Sequence, residues 1–255
     1  MTGPTVLLPP SETKREGGDT TRTLDLGALS FPELTGERVA VIAAARSVSS
    51  DESTARTALK LGPKSVAERL RNLSLEAAPT LPALERYTGV LYDPIRVADA
   101  DTATRTWWDE HVVVQSAMFG PLRAGDRIPA YRLSHDSRLG ALRLATVWPS
   151  VSRTALADVP GLVLDLRSEG YRALGPVDDA LAPRVVSVGE NGRRKALNHW
   201  NKTAKGRLVA LLGRTRPELA DVDDLVAWGR ANGVVIERSD AGWDLVAESL
   251  DPVPA

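Results

Sequence analysis

The sequence predicts an α+β fold: a single domain over residues 1–255, built on a mixed β-sheet flanked by helices. Three observations predict it. Short apolar runs closed by proline or glycine, the mark of buried strands, lie among amphipathic stretches of helical period without the strict alternation of a βαβ protein. A chain of 255 residues is long enough to bury a core without cross-links. Its 43 % apolar and 25 % charged residues are the balance of a globular domain, and no internal repeat or linker divides it.

Taken in order, "PTVLLPP" (Pro4–Pro10) is an apolar run ended by two prolines and reads as a buried strand. "SETKREGGDTTR" follows as a polar loop. "GERVAVIAAARSV" (Gly36–Val48) is alanine-rich with a broad apolar face and reads as helix. "SDESTARTALKL" predicts a second helix capped by Ser50 or Asp51, and Pro63 suits the first turn of a third, "PKSVAERLRNLSLE". "RTWWDEHVVVQSAMFG" reads as helix passing into a strand at Val112–Val114, and "RIPAYRLS" alternates weakly, as a strand does. "GLVLDLRSEGY" (Gly161–Tyr171) predicts the clearest buried strand and "RVVSVGE" another. "NKTAKGRLVALLG" is an amphipathic helix ending at Gly213. A C-terminal unit over 221–248 comprises the helix "DVDDLVAWGRANG", stopped at Gly233, and two strands about the Asp-Ala-Gly turn of "GVVIERSDAGWDLVAE".

The joint between the second and third helices, "LKLGPKSVAERL" (Leu59–Leu70), gives a helix-hairpin-helix-like element near residues 51–75. Glycine lets the chain turn tightly beside a nucleic acid backbone, and the free amides of the next helix start attract a phosphate. Gly62, Lys64, Ser65, Ala67 and Leu70 stand where such a hairpin has its glycine, basic or small residue and helix positions. Lys60 stands where the usual pattern has a further glycine, so an ordinary helix joint remains an equal reading.

Charge is unevenly placed. The net charge of −1 gives no global pull toward nucleic acid or anionic membrane. Residues 191–217, however, hold eight Lys or Arg and no acid: Arg193, Arg194, Lys195, Lys202, Lys205, Arg207, Arg214 and Arg216. His199, Trp200 and Asn201 precede the helix within this basic segment, whose N-terminus favours anions. The bland alternative is a solvated face neutralised by the nine acids that follow residue 217.

Polar residues also gather after the predicted strands. Ser11, Glu12 and Lys14 follow the first, and Arg167, Ser168 and Tyr171 close "LDLRSEGY". Strand carboxyl ends open onto binding crevices. With Arg123, Tyr131, Arg132 and Asn201 they compose a cleft suited to a phosphate or another anion, in which Glu12 or Tyr171 would transfer protons. The same arginines can instead pair with Glu12, Asp126 and Asp165.

Several chemistries are excluded or disfavoured. Without cysteine there are no disulfides, thiolate nucleophiles or zinc–thiolate sites. His111, His135 and His199 lack ligand spacing, so neither a metal nor a haem is expected, and no cofactor is called for. P-loop, dinucleotide-binding and nucleophile-elbow signatures are missing. No apolar run approaches the ~20 residues of a membrane span, and the N-terminus lacks the features of a signal peptide, so a cytoplasmic protein is expected.

Five stretches together carry a family resemblance: "VLLPPSETK", "ERYTGVLYD", "MFGPLRAGDRIPAYRLS", "LDLRSEGY" and "NHWNKTAKGRLVALL". In this order and over nearly the whole chain they resemble the YaaA-type peroxide stress resistance family. The resemblance implies a cytosolic bacterial protein that protects against hydrogen peroxide, with lower free iron and less DNA damage. It further implies an α/β fold with few relatives, a helix-hairpin-helix carried here by Leu61, Gly62, Pro63, Lys64 and Ser65, and binding to double-stranded DNA. Its strongest motif residues elsewhere fall on Ser11, Glu12, Lys14, Tyr131, Arg132, Arg167, Ser168, Tyr171, Asn201, Lys202, Lys205 and Arg207. Two functions are therefore expected. One is sequence-independent DNA binding through Gly62, Lys64, Ser65, Lys202, Lys205 and Arg207. The other is an enzyme or binder acting on a nucleotide or another small anionic compound.

Overall fold

A computed structural model describes residues 3–188, 194–196 and 200–250. The chain opens with β1 (Thr5–Leu8), all four residues buried. A helical layer follows: α1 (Thr35–Ser50), α2 (Glu52–Ala58) and α3 (Arg69–Leu73). Then come β2 (Leu81–Pro82), α4 (Ala83–Arg86) and α5 (Thr102–His111), which runs directly into β3 (Val112–Ser116). The middle of the chain adds β4 (Gly120–Arg123), β5 (Arg127–Ile128), α6 (Leu144–Ala155), β6 (Val163–Asp165) and α7 (Glu169–Leu174). The last part holds β7 (Arg184–Val188), β8 (Arg194–Ala196), α8 (Trp200–Thr215), α9 (Val222–Ala231), β9 (Ile236–Ser239) and β10 (Gly242–Val246).

The class is α+β, as expected, but the strands form two four-stranded mixed sheets and a two-stranded ribbon rather than one sheet. The first sheet has the order β4-β3-β1-β6, with β1 parallel to both neighbours. The second has the order β8-β7-β10-β9. They stay separate because β6 meets the following chain through a single bridge, Leu164 to Leu181, before β7 begins a new ladder. A strand flanked on both sides and covered on both faces must be apolar throughout, which explains Val6, Leu7 and Leu8. Alternation divides them: Val6 and Leu8 join Val112 and Val114 in the main core, while Leu7 and Val113 meet Leu156 on the opposite face. That main core continues through Trp108, Leu208 and Leu212 to Val185, Ile236 and Leu245 of the second sheet.

Several predicted elements change at their ends. Asp51 caps α2, accepting from the Thr54 amide at 2.8 Å. The third helix begins later than expected. Pro63 lies in a turn closed by Ser65 N–H to the Gly62 carbonyl, a 3-10 turn follows over Val66–Glu68, and α3 has five residues. Lys60 takes the left-handed conformation, φ +54°, and Leu61 N–H returns to the Arg56 carbonyl at 2.9 Å in a Schellman cap. "RIPAYRLS" is strand only over Arg127–Ile128, because Pro129 has no N–H to continue a ladder. "GLVLDLRSEGY" is strand only over Val163–Asp165 and turns into α7, so Tyr171 sits on a helix. Gly213 does not end α8; a Cβ there would lie 2.2 Å from the Trp108 indole nitrogen, so the glycine admits the ring, and the helix ends at left-handed Arg216. α6 is unanticipated because Pro149 interrupts its pattern.

Gly206 lets α8 press against backbone. A Cβ at this position would stand 2.0 Å from the Leu91 carbonyl oxygen. Gly206→Ala should destabilise the protein by about 2 kcal/mol in urea titration, the scale of overpacking against an unyielding neighbour. Gly36→Ala, on an open helix face, should leave the midpoint unchanged or raise it slightly.

Candidate functional site

Because β1 and β6 are parallel neighbours, the segments that leave their carboxyl ends emerge at one edge. β1 hands over to Pro9, Pro10 and Ser11; β6 hands over to Leu166, Arg167 and Ser168 before α7. The loop Gly89–Tyr92 and the first turns of α8 close the space between them. Two clefts result. The larger, about 520 Å³, is lined by Pro9–Thr13, Gly89–Tyr92, Ser134, His135, Ser168, Tyr171 and Lys202. The smaller, about 360 Å³, is lined by Asp165–Glu169, Arg172, Ala182–Val185, Asn201, Lys202 and Lys205. Pro9, Leu91, Ser168 and Lys202 belong to both.

The smaller cleft is cationic. Arg167 is buried and already matched: its Nε and Nη2 reach Asp165 at 2.9 and 2.7 Å. Arg184 is likewise paired with Asp244. Arg172, Lys202 and Lys205 have no carboxylate within ion-pair distance among the described residues. Burial lowers the Lys205 pKa to about 8, against the pull of Asp165. Glu169 is the acid without such a partner on this lining. Asn201 Oδ1 is shut from water and unpaired.

The larger cleft is walled by prolines, Val90, Leu91 and rings. The Tyr92 hydroxyl donates to the Pro9 carbonyl at 2.6 Å. The rings of His135 and Tyr171 meet at a tilt of 49° with centroids 5.0 Å apart, and Gly170 makes room, since a Cβ there would fall 2.2 Å from the imidazole. Burial pushes the Tyr171 phenol up to about 12, so it holds its proton at neutral pH. The hydroxyls of Ser11 and Thr13 are 3.1 Å apart, and Thr13 donates to the Thr88 carbonyl at 3.0 Å.

Beneath the Ser11–Thr13 loop lies Lys14, buried without a carboxylate partner. Its ammonium donates to the carbonyls of Ser11 (2.9 Å) and Glu12 (3.3 Å) and sits 4.1 Å from the Tyr131 ring centroid and 5.5 Å from that of Tyr87. Burial, then the charges of Arg132 and Arg71, bring its pKa down to about 7. Tyr131 is fully buried, its hydroxyl 2.8 Å from both Tyr87 and Ser116, whose oxygen accepts from the amides of Met118 and Phe119. Arg132 bridges Glu12 (3.1 Å) and Glu68 (3.4 Å), and Arg71 joins Glu68 to Glu16.

Of the residues singled out in the sequence, Ser11, Glu12, Arg167, Ser168, Tyr171, Asn201, Lys202 and Lys205 line the clefts. Lys14, Tyr131 and Arg132 support the larger one from below instead of facing it. Arg123 is elsewhere: it leaves β4 to bond the Glu110 carbonyl and lies 5.8 Å from the Phe31 ring centroid. Arg207 is half-buried on α8 and lines neither cleft. Gly62 and Lys64 are exposed, and Ser65 bonds back to Gly62. Arg193 and His199 of the basic segment fall outside the described residues. Tyr92, Ser134, His135 and Arg172 were not expected at the cleft, although Tyr92 stands inside "ERYTGVLYD" and Ser134 closes "MFGPLRAGDRIPAYRLS". No group of three or more metal-ligating side chains forms among the described residues, and no helix there is long and apolar enough to cross a membrane.

These features define an α+β protein with a cationic cleft at the carboxyl edge of parallel strands. Its family is known: the model described as "Peroxide stress protein YaaA" matches residues 5–237, and the chain belongs to that family, which supports a role in the stress response. It is 39 % identical over 239 residues to a UPF0246 protein of Corynebacterium glutamicum, covering 92 % of this chain and 95 % of the relative. It is 40 % identical over 237 residues to a UPF0246 protein of Corynebacterium efficiens, with 91 % and 94 % covered. A UPF0246 protein of Streptomyces coelicolor is 38 % identical over 213 residues, with 81 % and 82 % covered.

A lysine whose pKa falls on folding binds fewer protons in the native than in the unfolded state between those two values. Native stability should therefore rise with pH from about 7 toward 10, and this rise should shrink in Lys14→Met, as read by urea midpoints at about pH 7 and about pH 9.5.

Proposed function

We propose that the protein acts in the cytoplasm to limit hydrogen peroxide damage, and that it does so by binding a small phosphorylated or carboxylated compound in the cleft. The observation that carries this reading is the convergence of Arg172, Lys202 and Lys205 on one crevice without ion-paired carboxylates among the described residues. Unmatched cations at a partly desolvated site favour an incoming oxyanion. If the bound compound is a substrate, Tyr171 serves as a neutral hydrogen-bond donor to it, since burial holds its proton firmly at neutral pH. Glu12 would be the base, held in place by Arg132.

A second reading has its own support. Lys60 supplies, at φ +54°, the left-handed turn that a glycine gives to a helix-hairpin-helix; Gly62 has open space beside it, and Lys64 is exposed with no acid paired to it among the described residues. These features suit a backbone phosphate of double-stranded DNA, bound without regard to sequence, with reduced iron-driven damage as the result.

The readings separate by mutation. With the cleft as the working site, Lys202→Ala/Lys205→Ala should abolish peroxide protection in a complementation assay, while Lys64→Glu keeps it. With DNA as the working partner, Lys64→Glu should weaken binding by about tenfold or more in a mobility-shift titration. The logarithmic salt slope should then become shallower by about 1. Full protection by the double lysine variant would refute the cleft.

A further inference from the structure

We infer that the two clefts form one bipartite site for a nucleoside 5′-phosphate, its phosphate in the cationic arm and its sugar and base in the larger arm. This rests on the reading that the cationic cleft takes an anion, and adds to it what the rest of the ligand is.

The arms differ in kind and share a junction. The smaller arm gathers Arg172, Lys202 and Lys205 above a wall that includes Leu91, Leu166 and Pro183. The larger arm has one of those cations, Lys202, on its lining, together with Pro10, Val90 and the tilted ring pair of His135 and Tyr171. An arm of about 520 Å³ is far larger than an inorganic anion requires and matches the pockets that hold drug-sized molecules. Val90 is 56 % exposed although it faces this arm, so its apolar surface is left for a ligand to cover. A flat, apolar, aromatic group satisfies prolines, a valine and a ring pair together, and nucleic acid bases are recognised on such platforms.

The polar groups of the larger arm fit a sugar. Arg132 takes Oε2 of Glu12 and leaves Oε1 without a hydrogen bond among the described residues. A carboxylate so held is the usual acceptor for ribose hydroxyls. Ser11 and Thr13 lie beside it, pinned to each other and to the Thr88 carbonyl. In the smaller arm, Oδ1 of Asn201 is closed to water and has no hydrogen-bond partner among the described residues. Ser168, at the junction, has no side-chain bond to spend on capping α7 and is free for the ester region.

The test is calorimetric titration of the full chain with inorganic phosphate, adenosine, adenosine 5′-monophosphate, uridine 5′-monophosphate and a 5′-phosphorylated tetranucleotide. The mononucleotides should bind at least about tenfold more tightly than inorganic phosphate, the worth of about 1.4 kcal/mol of added contact, and adenosine should bind weakly. Val90→Glu, a rim change that leaves the core untouched, should remove that advantage and spare phosphate; Tyr171→Ala should do the same if it folds. Lys205→Ala should weaken both. A tetranucleotide that binds better than the mononucleotides assigns the site to strand ends, and one that binds worse assigns it to free nucleotides. Equal affinity for phosphate and mononucleotide would overturn the bipartite site while leaving the anion cleft standing. No binding of any phosphate would remove both.

Discussion

The molecule is arranged about β1, a four-residue strand that is hydrogen-bonded in parallel to β3 on one side and to β6 on the other. Parallel pairing on both sides forces the three strands to leave the sheet at one edge. The proline pair, the Ser11–Lys14 loop and the Leu166–Ser168 turn are thereby brought together from positions about 150 residues apart in the chain. Each helix that borders the cleft is held in turn by something tied to this sheet. Trp108, at the foot of β3, donates to the Val209 carbonyl and so anchors α8, the helix that delivers Lys202 and Lys205.

Buried cations show how the fold separates structure from chemistry. Arg38 gives its donors to the carbonyls of Ser30, Phe119 and Pro121, and Arg86 to those of Arg15, Pro79 and Ile128. Arg167 has a carboxylate fork of its own. Arg38 and Arg86 thereby join distant segments, although Nη1 of Arg38 is buried with no partner among the described residues, while Arg167 is matched within its own turn. Lys14 is different: it has two carbonyls and two aromatic faces but no ion-paired carboxylate among the described residues, and burial makes it give up its proton more readily. The cations Arg172, Lys202 and Lys205 instead line the smaller cleft, open to solvent.

What the sequence revealed, and what it concealed, follows from the range of the forces involved. Strands buried on both faces are continuous apolar runs, so β1 and β3 were legible, as were the helix starts marked by Asp51 and Asp221. Ends set by tertiary contact were not. Gly213 reads as a stop until Trp108 is seen against it, and Pro149 hides a helix whose Trp148 is wedged beneath the Ala117 carbonyl. The cleft was legible where polar residues directly follow a strand, as at Ser11 and Ser168. Sidedness was not: Tyr131 and Arg123 have the residue types of a binding site, but one is sealed among tyrosines and the other turns to Glu110. His135 and Arg172 carry no local mark and join the site only because α7 folds back over the chain.

The contact at Gly206 has a further meaning for the cleft. Where α8 meets Leu91, main chain touches main chain with no side chain between them. Such a seam cannot breathe by rotamer changes, and both of its partners border the crevice. Contact of backbone alone thus fixes the spacing between α8 and the Gly89–Tyr92 loop, the two elements that border the crevice.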